Sequence, residues 1–324
     1  MLYFMIKLSA GTAHVLGMKR LKTDAPPTTA YLMAGEGCSN DCSFCAQATN
    51  SDTDKDNLSR IRWQKFKQED IIDNLSLAAK DNKLKRTCIQ VVDTPSEKKL
   101  SVDFLRQLKE QVGLPTCVSK KINSLAEVKE LLSAGADRVN IALDVVSSVK
   151  YQEIKGGSYY ERYQLLTRAA KKFPGKISTH IIVGLGENEA EIIKLLVELK
   201  ELKVKTGIFA FTPLSGTKLA DHPRPDIGKY RRVQIANYLI YKHNFKLNNF
   251  IFSDGKLINI DIQNEELKQL LSDGKAFETV GCPDCNRPYY NEKPGGIIYN
   301  YPRSLEFEEI KEALNESQLV FNNE

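Results

Sequence analysis

Seven cysteines are the residues of this sequence best suited to chemistry, and three of them lie close together. Cys38, Cys42 and Cys45 form a C-x3-C-x2-C run. Thiolates bind iron–sulfur clusters, usually in sets of four, so three of them leave one iron of a cubane open to a small molecule. Structural zinc is the alternative, but it requires four ligands, and no histidine or fourth cysteine is near in sequence. The run therefore favours a cluster with an open iron.

The remaining cysteines are Cys88, Cys117 and the C-x2-C pair Cys282 and Cys285. Considered separately, each group has a simpler interpretation. Cys88 and Cys117 are then inert buried thiols, and the pair is half of a zinc site or a redox dithiol. An odd number of cysteines in a long chain without a secretory signal argues against a disulfide framework and predicts reduced thiols in the cytoplasm. Arg287, just beyond the pair, is a candidate for a substrate or cluster contact or for a surface ion pair.

The composition excludes several classes of protein. The chain has 324 residues, of which 42% are hydrophobic and 27% charged. These values exclude a disordered chain and a disulfide mini-protein. The longest apolar runs fall short of the roughly 18 residues that span a bilayer. The net charge of +5 comes from interspersed charges. We therefore expect neither nucleic-acid nor membrane binding.

Strand-like and helix-like segments alternate along most of the chain, which predicts crossover connections and a parallel sheet. An open doubly wound sheet and a (β/α) barrel both fit, and the number of strand-like segments favours the α/β barrel. A weak seventh barrel strand is expected near Lys229–Val233, and residues 46–66 are expected to form a loop without a strand. Strands are predicted at 28–33, 86–92, 115–118, 138–143, 176–183, 206–211 and 250–252. Helices are predicted at 67–79, 102–111, 125–133, 160–171, 187–202 and 233–243.

These elements suggest three parts. We predict an N-terminal segment over 1–27, a TIM-type (β/α) barrel over 28–253 and an irregular C-terminal extension over 254–324. The extension carries the second cysteine pair and is rich in Pro, Gly, Asn and Tyr between residues 282 and 303. We expect it to cap the barrel.

The triple-cysteine loop, with Phe44 before its last cysteine and the first predicted strand before it, resembles the radical S-adenosylmethionine (SAM) superfamily. That resemblance implies a 4Fe–4S cluster on Cys38, Cys42 and Cys45, whose open iron binds SAM. It also implies reductive cleavage of SAM to a 5′-deoxyadenosyl radical at the mouth of a barrel. The three cysteines would then be the catalytic ligands.

Most of the chain further resembles biotin synthase, in which Cys88 and Cys117 would match ligands of a second cluster. The matching stretches are 140–144, 160–162 and 182–187. The resemblance implies that SAM is contacted by Phe44, Asn140, Asp144, Arg162 and Glu187.

Three departures separate this chain from biotin synthase. Ser178 replaces a third cluster cysteine, Asn237 falls where an arginine is expected, and Ala142 replaces an asparagine that the resemblance expects as a contact residue. Cys282 and Cys285 are additional, so with Cys88 and Cys117 they make four, the number that an auxiliary 4Fe–4S cluster needs.

An auxiliary cluster and the extension at 282–296 resemble a subunit of the two-component lipoyl synthase. This resemblance implies sulfur insertion into an octanoyl chain on a lysine of a lipoyl carrier protein. It also implies a sister radical SAM subunit and a one-electron reductant such as ferredoxin as partners. Biotin synthase, another biotin synthase-like enzyme and a non-catalytic metal-binding protein are the alternatives. The sequence leaves open whether C6 or C8 is attacked.

Overall fold

A computed structural model describes residues 5–94, 97–292 and 295–319. Nine of the strands in this part of the chain form one sheet, in the order β3-β4-β1-β2-β5-β6-β7-β8-β9, and the last two form a separate hairpin. The strands are β1 (Met5–Ser9), β2 (Thr29–Ala34), β3 (Asn57–Leu58), β4 (Ile61–Lys67), β5 (Arg86–Val91), β6 (Thr116–Ser119), β7 (Arg138–Asn140), β8 (Ile177–Val183), β9 (Lys205–Ala210), β10 (Phe250–Ser253) and β11 (Lys256–Ile260).

Six adjacent strands, β2 and β5 to β9, run parallel. Every residue of β2 is buried, as expected for a strand covered on both faces. The sheet curls into a partial barrel that stays open, since the described residues pair β9 only with β8. The predicted α/β barrel is therefore confirmed in a partly open form.

Helices connect the parallel strands, as the alternation predicts. The helix over Glu189–Glu201 buries its apolar stripe, and Asn188 caps its first turn with a capping box. No helix of the described residues is long and apolar enough to cross a membrane. The α-helices are α1 (Ala10–Val15), α2 (Gln68–Lys80), α3 (Glu97–Gln107), α4 (Leu125–Ala134), α5 (Ser148–Lys155), α6 (Tyr159–Lys172), α7 (Glu189–Glu201), α8 (Ile227–His243), α9 (Asn264–Leu271) and α10 (Phe307–Ser317).

Antiparallel strands extend the β2 edge of the sheet, and the sequence analysis missed them. Residues 46–66 were expected to lack a strand, but β3 and most of β4 lie there. β1 pairs antiparallel with both β2 and β4. β4 has a polar sequence pattern because six of its seven residues are exposed or partly exposed to solvent, whereas Trp63 is completely buried. One buried aromatic side chain fixes a strand that the local composition conceals.

The predicted strand at Lys229–Val233 is wrong. These residues lie inside α8, whose first turn is capped by the Asp226 side chain. The segment at 250–252 is a strand, but it pairs with β11 in the separate hairpin and is not part of the barrel. The division of the chain at residues 27 and 253 stays a prediction, although β1 carries the sheet across the first of these boundaries.

A buried ion pair joins α7 to α8. Arg232 on α8 donates two hydrogen bonds to the Glu189 carboxylate of α7, at 2.9 and 2.7 Å, and a third to the backbone oxygen of Ser317 at 2.8 Å. Glu189 also accepts from the backbone N–H of Leu257 at 2.8 Å. Since both charged side chains are almost fully buried, removing one leaves the other charge without compensation.

We predict that Arg232→Ala lowers the free energy of unfolding by about 3–5 kcal/mol, because Glu189 would remain buried and charged. Lys246→Ala is the matched control: it removes the cation of an exposed pair with Glu201 at 3.9 Å, which contributes about 1 kcal/mol or less. Chemical denaturation of the two variants measures both values. Equal losses would contradict the anchoring role of Arg232.

Candidate active site

The triple-cysteine loop follows β2 and is tied to the end of the neighbouring strand. The backbone N–H of Cys38 donates to the oxygen of Gln47 at 2.7 Å, and that of Ser39 donates to the oxygen of Asp93 at 3.0 Å. The side-chain amide of Asn40 donates to the Cys38 sulfur at 3.2 Å. These bonds fix the loop at the carboxyl edge of the parallel strands, where barrels of this type carry their active sites.

The thiols of this loop lie close enough to affect one another. Burial, and to a smaller extent the neighbouring Cys42 and Cys38, raise the pKa of Cys45 to about 12, against a backbone hydrogen bond that lowers it. Burial also raises the pKa of Cys42, while the nearby Lys155 ammonium lowers it. Metal ligation requires the thiolate form. Cys42 and Cys45 therefore hold their protons near neutral pH until a bound cation replaces them.

A second cysteine set lies deeper on the concave face of the sheet. Cys88 and Cys117 are in register on β5 and β6, and Ser178 of β8 lies 3.9 Å from the Cys117 sulfur. Cys282 and Cys285 of the C-terminal extension line the same cavity as these three residues. The fold thus brings together four cysteines that are spread over almost 200 positions of the sequence.

One cavity connects the two cysteine sets. It reaches from the carboxyl edge of the parallel strands to their amino edge. The residues that line its carboxyl end include Phe44, Cys45, Asp144 and Thr212. The residues that line its amino end include the first residues of three strands, Thr29, Arg86 and Lys205.

The extension reaches this cavity through a tight turn. The backbone N–H of Cys285 donates to the oxygen of Cys282 at 3.2 Å. Asp284 between them has a φ of 60°, in the left-handed region that aspartate tolerates better than most residues. Thr28 donates its hydroxyl to the Asp284 oxygen at 2.5 Å. The turn therefore presents both thiols to the sheet at once.

Two strand residues hold the turn in place. Arg86 donates from Nη1 to the oxygen of Pro283 at 3.2 Å. The Tyr31 hydroxyl lies 3.3 Å from the Cys285 sulfur and accepts from the backbone N–H of Arg287 at 3.0 Å. Tyr31 and Cys88 are themselves in register on β2 and β5. The extension is thus bonded to the residues that carry the second cysteine set.

The thiols of the second set also affect each other's ionisation. Contact with Cys282 lowers the pKa of Cys117, but contact with Cys88 and burial outweigh it, so the net pKa is raised. Contact with Cys117 and burial raise the pKa of Cys282, against the nearby charge of Arg86 and contact with Arg138. Cys117 therefore lies beside both Cys88 and Cys282.

The donor set fits a 4Fe–4S cluster, since four thiols surround one cavity and this cluster takes four thiolates. Within the described ranges, no three His, Cys, Asp or Glu side chains converge on a point that would hold a single metal ion. Cys88, Cys117, Cys282 and Cys285 would hold such a cluster, and Cys38, Cys42 and Cys45 would hold the first one.

The predicted SAM contacts divide into two groups. Phe44 and Asp144 line the cavity. Asp144 has a φ of 61° and pairs with Lys155 at 2.7 Å. Asn140 lies at the end of β7, in register with Ser178, and accepts a hydrogen bond from it at 3.4 Å. These three residues are brought to the region of the two cysteine sets.

Arg162 and Glu187 are bonded elsewhere. Arg162 on α6 donates to the backbone oxygen of Ile122 at 2.6 Å. The Glu187 carboxylate accepts from the backbone of Gly184 and its neighbour at 2.8 and 2.9 Å, and pairs with Lys229 at 2.8 Å. Neither residue lines the cavity. A contact of any of the five residues with SAM stays a prediction.

Asn237, where the resemblance to biotin synthase expects an arginine, is buried on α8 and lies away from the cavity. Arg287 does line it, with its guanidinium carbon 3.9 Å from the ring centre of Phe209. A Cβ on Gly207 would come within 2.9 Å of Arg287 Nη1, so a larger residue there would displace the guanidinium. The interpretation of Arg287 as part of a surface ion pair is wrong.

Arg86 is the clearest residue that sequence reasoning left out of the site, and His180 lies in the same cavity. His180 lines the cavity with its ring 4.9 Å from that of Phe209, and burial lowers its pKa to about 4, so it is neutral near pH 7. Arg86 precedes Cys88 by two positions on one strand. The period of two along a strand is the signal that places both on the cavity face.

The fold and these sites define a partial (β/α) barrel with a cysteine loop at its carboxyl edge. The family model described as Radical SAM superfamily matches residues 32–199, just over half of the chain. The chain therefore belongs to the Radical SAM superfamily and is a radical SAM enzyme. Membership implies a 4Fe–4S cluster and SAM.

The chain is similar to curated biotin synthases. It is 30% identical over 206 residues to that of Dechloromonas aromatica (strain RCB), covering 62% of this chain and 61% of the relative. It is 27% identical over 214 residues to that of Acinetobacter baumannii (strain AYE), covering 64% and 63%. The match thus spans about three fifths of these relatives.

Two solved structures share the fold. A crystal structure of HydG, a maturase of the [FeFe]-hydrogenase, has a TM-score of 0.55 at 11% identity and covers 75% of this chain and 54% of its own. HydG from Carboxydothermus hydrogenoformans has a TM-score of 0.52 at 15% identity and covers 89% and 66%. At this identity the likeness concerns the fold alone.

We predict that Cys45 of the metal-free protein reacts slowly with iodoacetamide at pH 8 and faster as the pH approaches about 12, the raised pKa of this thiol. Only the thiolate reacts. Since the folded pKa lies above the ordinary value of 9.0, this group contributes stability that is lost as the pH rises from about 9 toward about 12.

Peptide mapping by mass spectrometry follows alkylation of Cys45 at several pH values, with urea-unfolded protein as the control. The unfolded protein should show the pH profile of an ordinary thiol. Identical profiles in the folded and unfolded states would contradict the buried, protonated state of Cys45.

Proposed function

We propose that this radical SAM enzyme inserts sulfur into an unactivated C–H bond of its substrate, with a second cluster on Cys88, Cys117, Cys282 and Cys285. The observation that carries the proposal is the single cavity that joins Cys45 of the catalytic loop to these four cysteines. When bound, the first cluster and SAM supply a radical that removes a hydrogen atom, and the second cluster supplies sulfide.

The chain's own residues shape the space between the two cysteine sets. Its walls are largely apolar and include Ile182, Phe209, Phe211 and Leu214. Such walls exclude water and hold an aliphatic substrate without competing hydrogen donors. We expect the cavity to hold the reacting carbon between the two cysteine sets. Holding reacting groups within contact distance strongly increases the rate of the reaction between them.

The named relatives support a biotin synthase-like activity first. Dethiobiotin is therefore the first substrate to test. Ser178 beside the Cys117 sulfur departs from the cysteine that the resemblance expects in biotin synthase. We accordingly assign the third and fourth thiol ligands to Cys282 and Cys285 of the extension.

The C-terminal turn supports a second candidate, lipoyl synthesis. Cys282 and Cys285 reach the cavity from a segment that resembles the tail of two-component lipoyl synthase subunits. In this candidate the substrate is an octanoyl chain on the lysine of a lipoyl carrier protein. A sister radical SAM subunit and a ferredoxin-type reductant are the proposed partners, and cytoplasmic location stays a prediction.

Turnover separates the two candidates. The anaerobic protein is incubated with SAM, reductant and either dethiobiotin or an octanoyl-lysine peptide, and the products are analysed by mass spectrometry. Sulfur gain on dethiobiotin supports the first candidate, and sulfur gain on the peptide supports the second. Hydrogen abstraction without sulfur gain on either substrate, in the presence of a sister subunit, would contradict sulfur insertion.

The two cysteine sets should fail differently when mutated. We predict that Cys282→Ala and Cys285→Ala retain 5′-deoxyadenosine formation but yield no sulfur product, because only the second cluster loses a ligand. Cys38→Ala is the matched control and should abolish 5′-deoxyadenosine formation. Chromatographic quantification of 5′-deoxyadenosine and of the thiolated product measures both effects. Normal sulfur insertion by Cys282→Ala would overturn the ligand assignment.

A further inference from the structure

A buried basic floor lies beneath the second cysteine set. It consists of Arg86 and Arg138, the first residues of β5 and β7. Only 3% and 9% of their surfaces are exposed. Arg138 is in register with Cys117, so the two side chains leave the sheet on the same face.

The acidic partner of this floor is shared. Asp137 lies 3.0 Å from Arg86 and 3.8 Å from Arg138. It also lies 3.9 Å from Lys176. Lys205 adds another cation at this end of the cavity, and burial and the charge of Arg138 lower its pKa. Among the described side chains, the amino end of the cavity therefore carries more positive than negative charge.

Several donors of this floor lack an acceptor within hydrogen-bond distance among the described residues. Arg138 donates from Nη2 to the oxygen of Gly175 at 3.2 Å. No described residue accepts a hydrogen bond from Nε or Nη1 of Arg138, or from Nε of Arg86, although all three atoms are buried. Unpartnered buried donors on a charged group are costly and rare in native proteins. The Cys282 thiol is the group beside Arg138.

We infer that Arg138, together with Arg86, is the counter-charge and hydrogen-bond donor for an anionic iron–sulfur cluster on the second cysteine set. A 4Fe–4S cluster with four thiolates carries net negative charge, and hydrogen bonds to its sulfurs and nearby charge set its reduction potential. Arg138 is thus a positioning residue that stabilises the bound cluster. This inference rests on the second cluster of the proposed function.

The inference predicts opposite effects of one substitution in two states of the protein. In the loaded protein, Arg138→Met should increase the rate at which a chelator removes iron from the second cluster by about tenfold or more. This is the usual effect of removing a residue that hydrogen-bonds to the ligands of a metal site. Its reduction potential should become more negative. In the metal-free protein the same change should leave the melting temperature unchanged or raise it, because it removes a poorly satisfied buried charge.

Arg138→Lys keeps the charge and should restore part of the cluster's stability. Arg168→Met, on the exposed side of α6, is the matched control and should match the parent in every measurement. Chelator kinetics, potentiometric titration followed by electron paramagnetic resonance and thermal melting of loaded and metal-free protein provide the readouts. The signal of the first cluster reports that each variant is folded.

A lower melting temperature in both states with an unchanged potential would assign Arg138 a merely structural role and overturn the inference. A parent protein that binds only about four irons would overturn the second cluster itself, and with it the proposed function. A second cluster in the parent whose potential and chelator sensitivity are the same in Arg138→Met would overturn the role of Arg138 alone.

Discussion

The contact between the C-terminal turn and the parallel strands determines which thiols share a cavity. Arg86 holds the Pro283 oxygen, and Tyr31 contacts the Cys285 sulfur and the Arg287 backbone. Without these bonds, Cys88 and Cys117 would be two thiols facing an open barrel end. With them, Cys282 and Cys285 line the cavity beside Cys88 and Cys117, and the cavity has cysteines at both ends.

The part of the cavity near this contact also carries an excess of positive charge. Buried arginines at the amino end favour an anionic group there, whereas the carboxyl end carries Asp144 paired with Lys155, and the neutral His180 lies between the two ends in the middle of β8. The two ends of the cavity thus differ in their electrostatic environment. Because charge and hydrogen bonding set the potential of an iron–sulfur cluster, two clusters in one chain can differ in their chemistry.

Much of this arrangement was predictable from the sequence because the information is local. The triple-cysteine spacing and the alternation of strands and helices each lie within short segments, and both indicated the right fold. The convergence of Cys282 on Cys117 was reached by counting thiols and by resemblance. The antiparallel strands β3 and β4 were missed because the burial of Trp63 depends on distant packing. The strand expected within α8 was wrong because buried helices and strands have similar apolar content.

The most direct test of the central claim is the iron and sulfide content of the anaerobically reconstituted protein and of its Cys282→Ala, Cys285→Ala double variant. Two cubane clusters correspond to about eight irons and about eight sulfides per parent chain. The account predicts that the double variant retains about half of each, since Cys38, Cys42 and Cys45 still hold the first cluster. Equal iron in the parent and the double variant would contradict the account.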